Sequence, residues 1–145
     1  MTYLPDVNVW LALLLDTHVH GPAARQFADE HADDTFVLCR VTQMAVLRLL
    51  TNPRVTGPAT ALTPAQAWAA VNRLRNVDNV VFAAEPDNLD STWQALCQRA
   101  TGSSGSFWTD SHLAAFAISS GATLVTFDKA FRAWPKLKSV ILNQL

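Results

Sequence analysis

Residues 109–128 read TDSHLAAFAISSGATLVTFD and contain a helix, its stop and a strand in succession. Leu113 and Phe116 recur at helical spacing, and Gly121 is typical of the residue that ends a helix. The run over residues 122–126 is rich in strand-forming side chains. This stretch therefore predicts a helix that leads directly into a strand, which is the connection found between parallel strands of an α/β sheet.

The same alternation continues through the rest of the chain. Strands are predicted over about residues 2–6, 35–39, 80–82, 122–126 and 140–142. Helices are predicted over 9–15 and 20–32, from a cap at Thr42 to before Pro53, from a cap at Thr63 onward, from about Asp87, and from Thr109 or Asp110 to Gly121. We therefore expect one α/β domain over residues 1–145, with helices on both faces of a mostly parallel sheet of four to five strands.

The composition narrows the class of protein. Half of the 145 residues are hydrophobic and 16% are charged, which excludes a disordered chain and fits one well-filled core. The net charge of −1 excludes binding to nucleic acid through bulk positive charge. Cys39 and Cys97 lack the spacing of a metal site and are predicted to be buried thiols in a reducing compartment. Without a basic leader or a long apolar run, the protein is expected to be cytoplasmic and free of membrane segments.

The charges are distributed unevenly along the chain. Residues 35–77 carry five arginines, Arg40 and Arg48 among them, and no acid, while residues 129–145, beginning with Lys129, sum to +4. Residues 1–34 and residues 78–128 each carry a net charge of −5. Basic stretches around an acidic cleft are what binding to a phosphate backbone requires. The alternative is that these arginines form the solvated faces of amphipathic helices.

Three carboxylates fall where such a sheet binds ligands. Asp6 ends the first strand, Asp128 ends the fourth, and Asp110 lies at the start of the helix before the fourth. Open parallel sheets bind ligands beyond the carboxyl ends of their strands, and the first and fourth strands can be neighbours. Carboxylates at close quarters repel one another unless a hard cation such as Mg²⁺ or Mn²⁺ holds them. Such an ion lowers the pKa of bound water and neutralises the charge on a phosphodiester.

Each side chain in this region also has a simpler role open to it. Asp110 is favourable in the first turn of any helix, and Asp128 is a typical turn residue. Asn8 can cap the first helix or orient a carboxylate through its amide. Trp108, beside Asp110 and after a Gly/Ser loop, is a candidate for stacking on a base. His112 is a candidate general acid, although a surface or capping role is commoner for such a histidine.

Four stretches, in order along the chain, carry a family likeness. They are LPDVNVWLAL at 4–13, RVTQ at 40–43 with LRLLTNP at 47–53, TDSHLAA at 109–115 and GATLVTFDKAF at 121–131. Together they resemble the PIN domain and, more narrowly, the VapC toxins of bacterial toxin–antitoxin pairs. The resemblance implies a three-layer α/β/α fold and an endoribonuclease that depends on Mg²⁺ or Mn²⁺. It also implies hydrolysis by a metal-activated water, leaving a 3′-hydroxyl and a 5′-phosphate.

Matching motif to motif, the resemblance assigns the metal-binding, catalytic acids of the family to this chain. These acids are Asp6, Asp110 and Asp128, and the supporting polar groups near them are Asn8 and Thr126. Arg40, Arg48, Trp108 and Lys129 are the candidates for RNA contact.

The middle of the chain departs from the family pattern. The family usually carries a Glu about three residues before the position of Arg48, and Ala45 stands there in this chain. Gln43 is a candidate to substitute as a neutral contact, and Asp87 or Asp90 is a candidate to enter from elsewhere. The resemblance therefore leaves the metal affinity and the number of metal ions open.

The resemblance also implies partners. They are an RNA substrate, such as tRNA or another structured RNA, a cognate VapB-like antitoxin and a second copy of the chain in a homodimer. Apolar helix faces near residues 8–15 and 41–51 are available for such contacts or for the core. Two alternatives remain open: a PIN-fold module that binds RNA or a partner without cutting, and a haloacid-dehalogenase-like phosphatase. The phosphatase needs a second acid at the position of Asn8.

Overall fold

Five short parallel strands form the centre of the fold. The structure is a computed structural model that describes residues 1–143. The strands are β1 (Thr2–Pro5), β2 (Thr35–Cys39), β3 (Val80–Ala83), β4 (Thr123–Thr126) and β5 (Ser139–Ile141). The helices are α1 (Val7–Leu14), α2 (Gly21–Glu30), α3 (Arg40–Leu50), α4 (Pro53–Thr56), α5 (Pro64–Arg75), α6 (Leu89–Cys97) and α7 (Phe107–Ser120), with a 3₁₀ helix at Lys129–Ala133.

The strand order is β3-β2-β1-β4-β5, and all four pairings are parallel. From β1 the chain builds the sheet in one direction through β2 and β3, and then in the other through β4 and β5. Leu4 pairs with Leu124 and Pro5 with Val125, so that β1 and β4 end side by side. This reversal is the point at which open α/β sheets form a ligand-binding crevice. The predicted pairing of the first and fourth strands is confirmed.

Helices cover both faces of the sheet, as predicted. Alternate side chains of each strand point to opposite faces, so that Tyr3 packs with α1 and α2 while Leu4 packs with α7. One core centres on Trp10, and the other centres on Phe116 and Phe131. None of the helices in residues 1–143 combines the length and hydropathy needed to span a bilayer.

Helices α3 and α7 begin earlier than predicted. Helix α3 begins at Arg40 directly after β2, so that Thr42 is buried inside the helix with its Oγ1 3.2 Å from Cys39 Sγ and does not cap it. Helix α7 begins at Phe107, which places Asp110 in its first turn. In both cases the helix starts among residues without a side-chain cap, which is why a search for cap residues misplaces its start. The predicted cap at Thr63 is correct.

The predicted partner faces are partly used by the core. Val9, Trp10 and Leu11 are buried, so the face at 8–15 packs within the chain. On α3, Met44 remains 60% exposed. Of the two cysteines, Cys39 is buried as predicted, whereas Cys97 is only half-buried.

Gly121→Ala is expected to lower the free energy of unfolding by about 1–2 kcal/mol, because Gly121 ends α7 with φ +71°, a conformation that Cβ disfavours. No atom lies within 4 Å of the added Cβ, so the cost is purely conformational. Urea unfolding measures it. Gly102→Ala is the matched control, since Gly102 also has open space and no positive φ. Equal losses in the two variants would contradict the assignment.

Candidate active site

Asp6 joins the ends of β1 and β4. It is the N-cap of α1, and its Oδ1 accepts a hydrogen bond from Val7 N at 2.7 Å. Its Oδ2 accepts from Thr126 Oγ1 at 2.9 Å, and its backbone N donates to Val125 O at 2.8 Å. Only 6% of Asp6 is exposed. The carboxylate is therefore held in one orientation by both central strands.

Thr126 is the centre of a hydrogen-bond network at this edge. While its hydroxyl donates to Asp6, the same oxygen accepts from Asp128 N at 3.0 Å and from Asn8 Nδ2 at 3.2 Å. The residue is fully buried. Asn8 does not cap α1, because Asp6 holds that position. Its amide instead orients the hydroxyl that holds Asp6.

Asp110 and Asp128 lie at the mouth of the same crevice. Asp110 is half-buried in the first turn of α7, and its Oδ2 accepts from Ser106 Oγ at 3.0 Å. Asp128 is exposed after β4, and its Oδ1 accepts from Ala130 N at 2.9 Å to cap the 3₁₀ helix. Each acid thus also has the simpler local role considered above. Each acid uses one carboxylate oxygen for that local hydrogen bond, and its second carboxylate oxygen takes no part in it.

The acids act on one another electrostatically. The pKa of Asp6 is raised to about 6, chiefly by burial and in smaller part by the charges of Asp110 and Asp128, while the hydrogen bonds from Thr126 and Val7 oppose the rise. Burial also raises the pKa of Asp110, with a further contribution from Asp128. The structure therefore brings the three predicted acids into one electrostatic neighbourhood.

Within residues 1–143, no cationic side chain forms an ion pair with these three acids. The ion pairs found in residues 1–143 join the N-terminus to Asp34 and His112 to Glu85. As the side chains stand, no three acidic, histidine or cysteine residues in that range are close enough to enclose an ion. The donor set is nonetheless the one that Mg²⁺ and Mn²⁺ prefer, since all three groups are carboxylates. A bound cation would offset the burial and the repulsion that raise the pKa of Asp6.

The missing acid of α3 is not replaced from elsewhere. Gln43 is buried, its Oε1 accepts from Arg40 Nη1, and its Nε2 has no hydrogen-bond partner in the part of the chain described. Asp87 and Asp90 are exposed and are not among the groups that affect the pKa of Asp6. The proposal that either of them enters the cluster therefore finds no support, and the one side-chain hydrogen bond of Gln43 within the described residues is with Arg40.

The candidates for RNA contact divide into two groups. Trp108 is 59% exposed and lies two residues before Asp110, and Lys129 directly follows Asp128. Arg40 begins α3 at the carboxyl end of β2. Arg48 lies about 12 Å further along α3 and borders a different groove, next to Trp68. Arg48 is therefore not part of this edge.

His18 and His20 support the loop that follows β4. This contact was not predicted from the sequence. The ring of His20 stacks on Phe127 at 4.2 Å, and His20 N donates to His18 Nδ1 at 3.1 Å. Phe127 lies between Thr126 and Asp128, so the stack fixes the segment that carries both. The contact joins residues more than a hundred positions apart, and no local pattern could have indicated it.

A family model described as the PIN domain matches residues 3–137. The chain belongs to the PIN domain family. The predicted α/β/α fold and the predicted family are both confirmed. Family membership rules out the alternative of a haloacid-dehalogenase-like phosphatase.

Curated relatives place this PIN domain among the VapC ribonucleases. Over 132 residues it is 44% identical to Ribonuclease VapC41 of Mycobacterium tuberculosis. The aligned region covers 88% of this chain and 90% of that relative. Over 130 residues it is 32% identical to Ribonuclease VapC39 of the same organism, covering 90% and 91%.

Solved structures share the PIN fold at low sequence identity. VapBC2 from Rickettsia felis, solved bound to a DNA fragment from the promoter, aligns with a TM-score of 0.75 at 14% identity, over 99% of this chain and all of that chain. Mycobacterium tuberculosis VapC20, described as a sarcin-ricin loop cleaving toxin, aligns with a TM-score of 0.61 at 18% identity, over 90% and 93%. At such identities the likeness establishes the fold alone.

Proposed function

We propose that this PIN domain is the endoribonuclease toxin of a toxin–antitoxin pair, with Asp6, Asp110 and Asp128 as ligands of Mg²⁺ or Mn²⁺. The observation that carries the proposal is the uncompensated cluster of carboxylates at the ends of β1 and β4. Buried carboxylates without a cation cost stability, so such a cluster indicates a functional requirement. The VapC relatives supply the reaction class.

The chain's own residues orient the ligands. Thr126 fixes Oδ2 of Asp6 through its hydroxyl, and Asn8 fixes the hydroxyl through its amide. A divalent cation bound there supplies a nucleophilic water near neutral pH and offsets charge on the phosphodiester. The expected products carry a 3′-hydroxyl and a 5′-phosphate.

Cationic and aromatic side chains beside the acids serve RNA binding. Three carboxylates repel a phosphate backbone, so affinity must come from residues flanking them. Arg40 and Lys129 provide positive charge on either side, and exposed Trp108 provides a surface for base stacking. The substrate class is RNA, with tRNA or another structured RNA as the candidate, and the cytoplasm is the compartment in which the protein would meet it.

Two protein partners are proposed, a VapB-like antitoxin and a second copy of the chain. VapBC assemblies from Rickettsia felis and Salmonella typhimurium are among the solved structures with this fold. Of the predicted partner face at 41–51, the exposed portion is Met44 on α3. Exposed Trp68 lies on α5, which packs against α3. These two exposed side chains provide apolar surface for a partner.

RNA cleavage is expected to require a divalent cation. Purified protein should cut total cellular RNA with Mg²⁺ or Mn²⁺ and lose at least about 100-fold of that activity in EDTA, because the carboxylates alone offer neither a nucleophile nor charge neutralisation. Electrophoresis of the RNA measures the cleavage, and mapping of the ends distinguishes 5′-phosphates from cyclic phosphates.

Two results would contradict this proposal. Cleavage that persists in EDTA and leaves 2′,3′-cyclic phosphates would reject the metal mechanism. RNA binding without any cleavage in either metal would favour the alternative of a non-cutting PIN module, which Ala45 in place of the family Glu keeps open.

A further inference from the structure

A cavity lies beside the acidic edge, which is the edge of the sheet that carries Asp6, Asp110 and Asp128. It has a volume of about 200 Å³ and opens at the carboxyl ends of β2 and β3. Its walls include Arg40, Phe82, Glu85, His112 and Phe116. We infer that this cavity receives one base of the substrate RNA, a nucleotide adjacent to the bond that is cut. The inference rests on the proposed ribonuclease function and adds a determinant of base preference to it.

His112 is the polar group that marks the cavity as a binding site. The residue is 95% buried, yet neither ring nitrogen makes a hydrogen bond within the described residues. Buried polar groups are nearly always hydrogen-bonded in folded proteins, so an imidazole that lines a cavity with no hydrogen bond, and with only the Glu85 carboxylate 3.5 Å from its Nε2, indicates a missing partner. Trp93 packs edge-on against the ring at a centroid distance of 5.0 Å, which fixes its plane. A neutral imidazole carries one donor and one acceptor, and an entering group would reach them where the ring lines the cavity.

The remaining walls suit a nucleobase with its phosphate outside. The volume is below the roughly 300–1,000 Å³ typical of sites for drug-sized ligands, and so it fits one planar ring system. Phe82 and Phe116 supply apolar walls. Exposed Arg40 lies over the Phe82 ring at 4.7 Å, with Arg75 over the same ring at 4.5 Å. The two guanidinium groups place positive charge near the cavity, where a phosphate attached to the base would lie.

Glu85 supplies discrimination between bases. Its Oε1 is 3.5 Å from His112 Nε2, and its side chain is 65% exposed. A carboxylate accepts hydrogen bonds from the exocyclic amino groups of cytosine, adenine and guanine, whereas uracil has no amino group and offers only its single ring N3–H. The cavity is therefore expected to disfavour uracil.

The position of the cavity matches the reach of one nucleotide. β2 is the neighbour of β1, and adjacent strands lie about 4.8 Å apart, so a cavity between the ends of β2 and β3 lies roughly 5–10 Å from the end of β1 and Asp6. Helix α7 contributes Asp110 to the acidic edge and His112 to the cavity wall, on different sides of the helix because the two are two positions apart. An RNA strand with its phosphate at the acids can thus place a neighbouring base in the cavity.

Nucleotide binding can be measured without catalysis. We expect the four 5′-ribonucleoside monophosphates, titrated in EDTA and followed by amide NMR, to shift residues 39–41, 83–85 and His112, with the uridine compound binding weakest. His112→Phe should weaken binding at least about 10-fold while its melting temperature changes little, because no hydrogen bond is lost in the free protein and the Glu85 carboxylate 3.5 Å away is largely exposed. A histidine that serves only the core would leave binding unchanged. Asp87→Asn, a nearby exposed acid, is the matched control.

Cleavage of a randomised RNA pool tests whether the occupant belongs to the RNA strand. Sequencing of the ends should show discrimination against uracil at one position beside the cut, which Glu85→Gln removes and Asp87→Asn retains. Cleavage by the wild-type protein with no nucleotide-induced shifts and no effect of Glu85→Gln would overturn the inference and leave the proposed function standing. Shifts by monophosphates without any RNA cleavage would instead reject the proposed function. Monophosphate binding with an unchanged cleavage pattern would reject the assignment to RNA.

Discussion

Asp6→Asn is expected to lower the rate of RNA cleavage by about 10³-fold at saturating Mg²⁺, equivalent to about 4 kcal/mol of transition-state stabilisation. Asp6 is the acid that both central strands fix in position, through Thr126 and through its own backbone bond to Val125. The amide keeps the size of the side chain and removes the negative charge, so that metal affinity and charge neutralisation are lost together. Single-turnover cleavage of an end-labelled RNA measures the rate.

Asp16→Asn is the matched control for this substitution. Asp16 is exposed in the loop after α1, carries the same chemistry and lies outside the acidic edge. Its variant should cut at the wild-type rate. Equal rates for Asp6→Asn and wild-type protein would remove Asp6 from the mechanism, even though its place at the edge of the sheet remains.

The sequence predicted the edge of the sheet because the relevant information is local. Each strand is an apolar run, and in a parallel sheet the residue after such a run lies at the carboxyl edge wherever the strand is placed. That argument placed Asp6 and Asp128 correctly. The helix start at Phe107 was missed because no side chain caps it, yet a shift of a few residues does not remove Asp110 from the first turn of α7.

The network inside the site could not be predicted, because its contacts join distant parts of the chain. The hydroxyl of Thr126 meets Asp6 across 120 positions, and His20 meets Phe127 across more than a hundred. The cavity beneath His112 likewise exists only because β2, β3 and α7 pack together. Sequence patterns indicate which residue types are present, whereas partners of this kind follow from tertiary packing.

The neutral side chains on α3 change the electrostatics of the edge. The family resemblance implies that a Glu at Ala45 would add a fourth carboxylate to the region where burial and repulsion already raise the pKa of Asp6 to about 6. Without that charge the cluster repels itself less in the absence of metal, and it attracts a cation less strongly. Weaker metal binding is therefore the expected consequence of Ala45, with millimolar Mg²⁺ or added Mn²⁺ needed for full occupancy.

The charge of Asp6 is expected to destabilise the protein when no metal is bound. The pKa of Asp6 is about 6 in the folded protein and 3.8 when unfolded, so the folded state binds more protons between these values. The free energy of unfolding therefore falls as the pH rises from about 4 to 6, and the full cost, about 3 kcal/mol, applies above that range. Asparagine avoids this cost but loses one of the two hydrogen bonds that the carboxylate accepts, worth about 1 kcal/mol.

Asp6→Asn should accordingly raise the free energy of unfolding by about 2 kcal/mol at pH 8 in EDTA, and the gain should vanish near pH 4. Mn²⁺ should reverse the order, because an ion at about 100 times its Kd adds about 2.7 kcal/mol to the wild-type protein and little to the variant. Urea unfolding at pH 8 and at pH 4, each with and without Mn²⁺, measures the free energy of unfolding under all four conditions. Asp16→Asn should match the wild type in every one of them. A variant less stable than wild type at pH 8 would show that the hydrogen bonds of Asp6 outweigh its burial. A wild-type protein that Mn²⁺ fails to stabilise would show that the three carboxylates do not hold an ion.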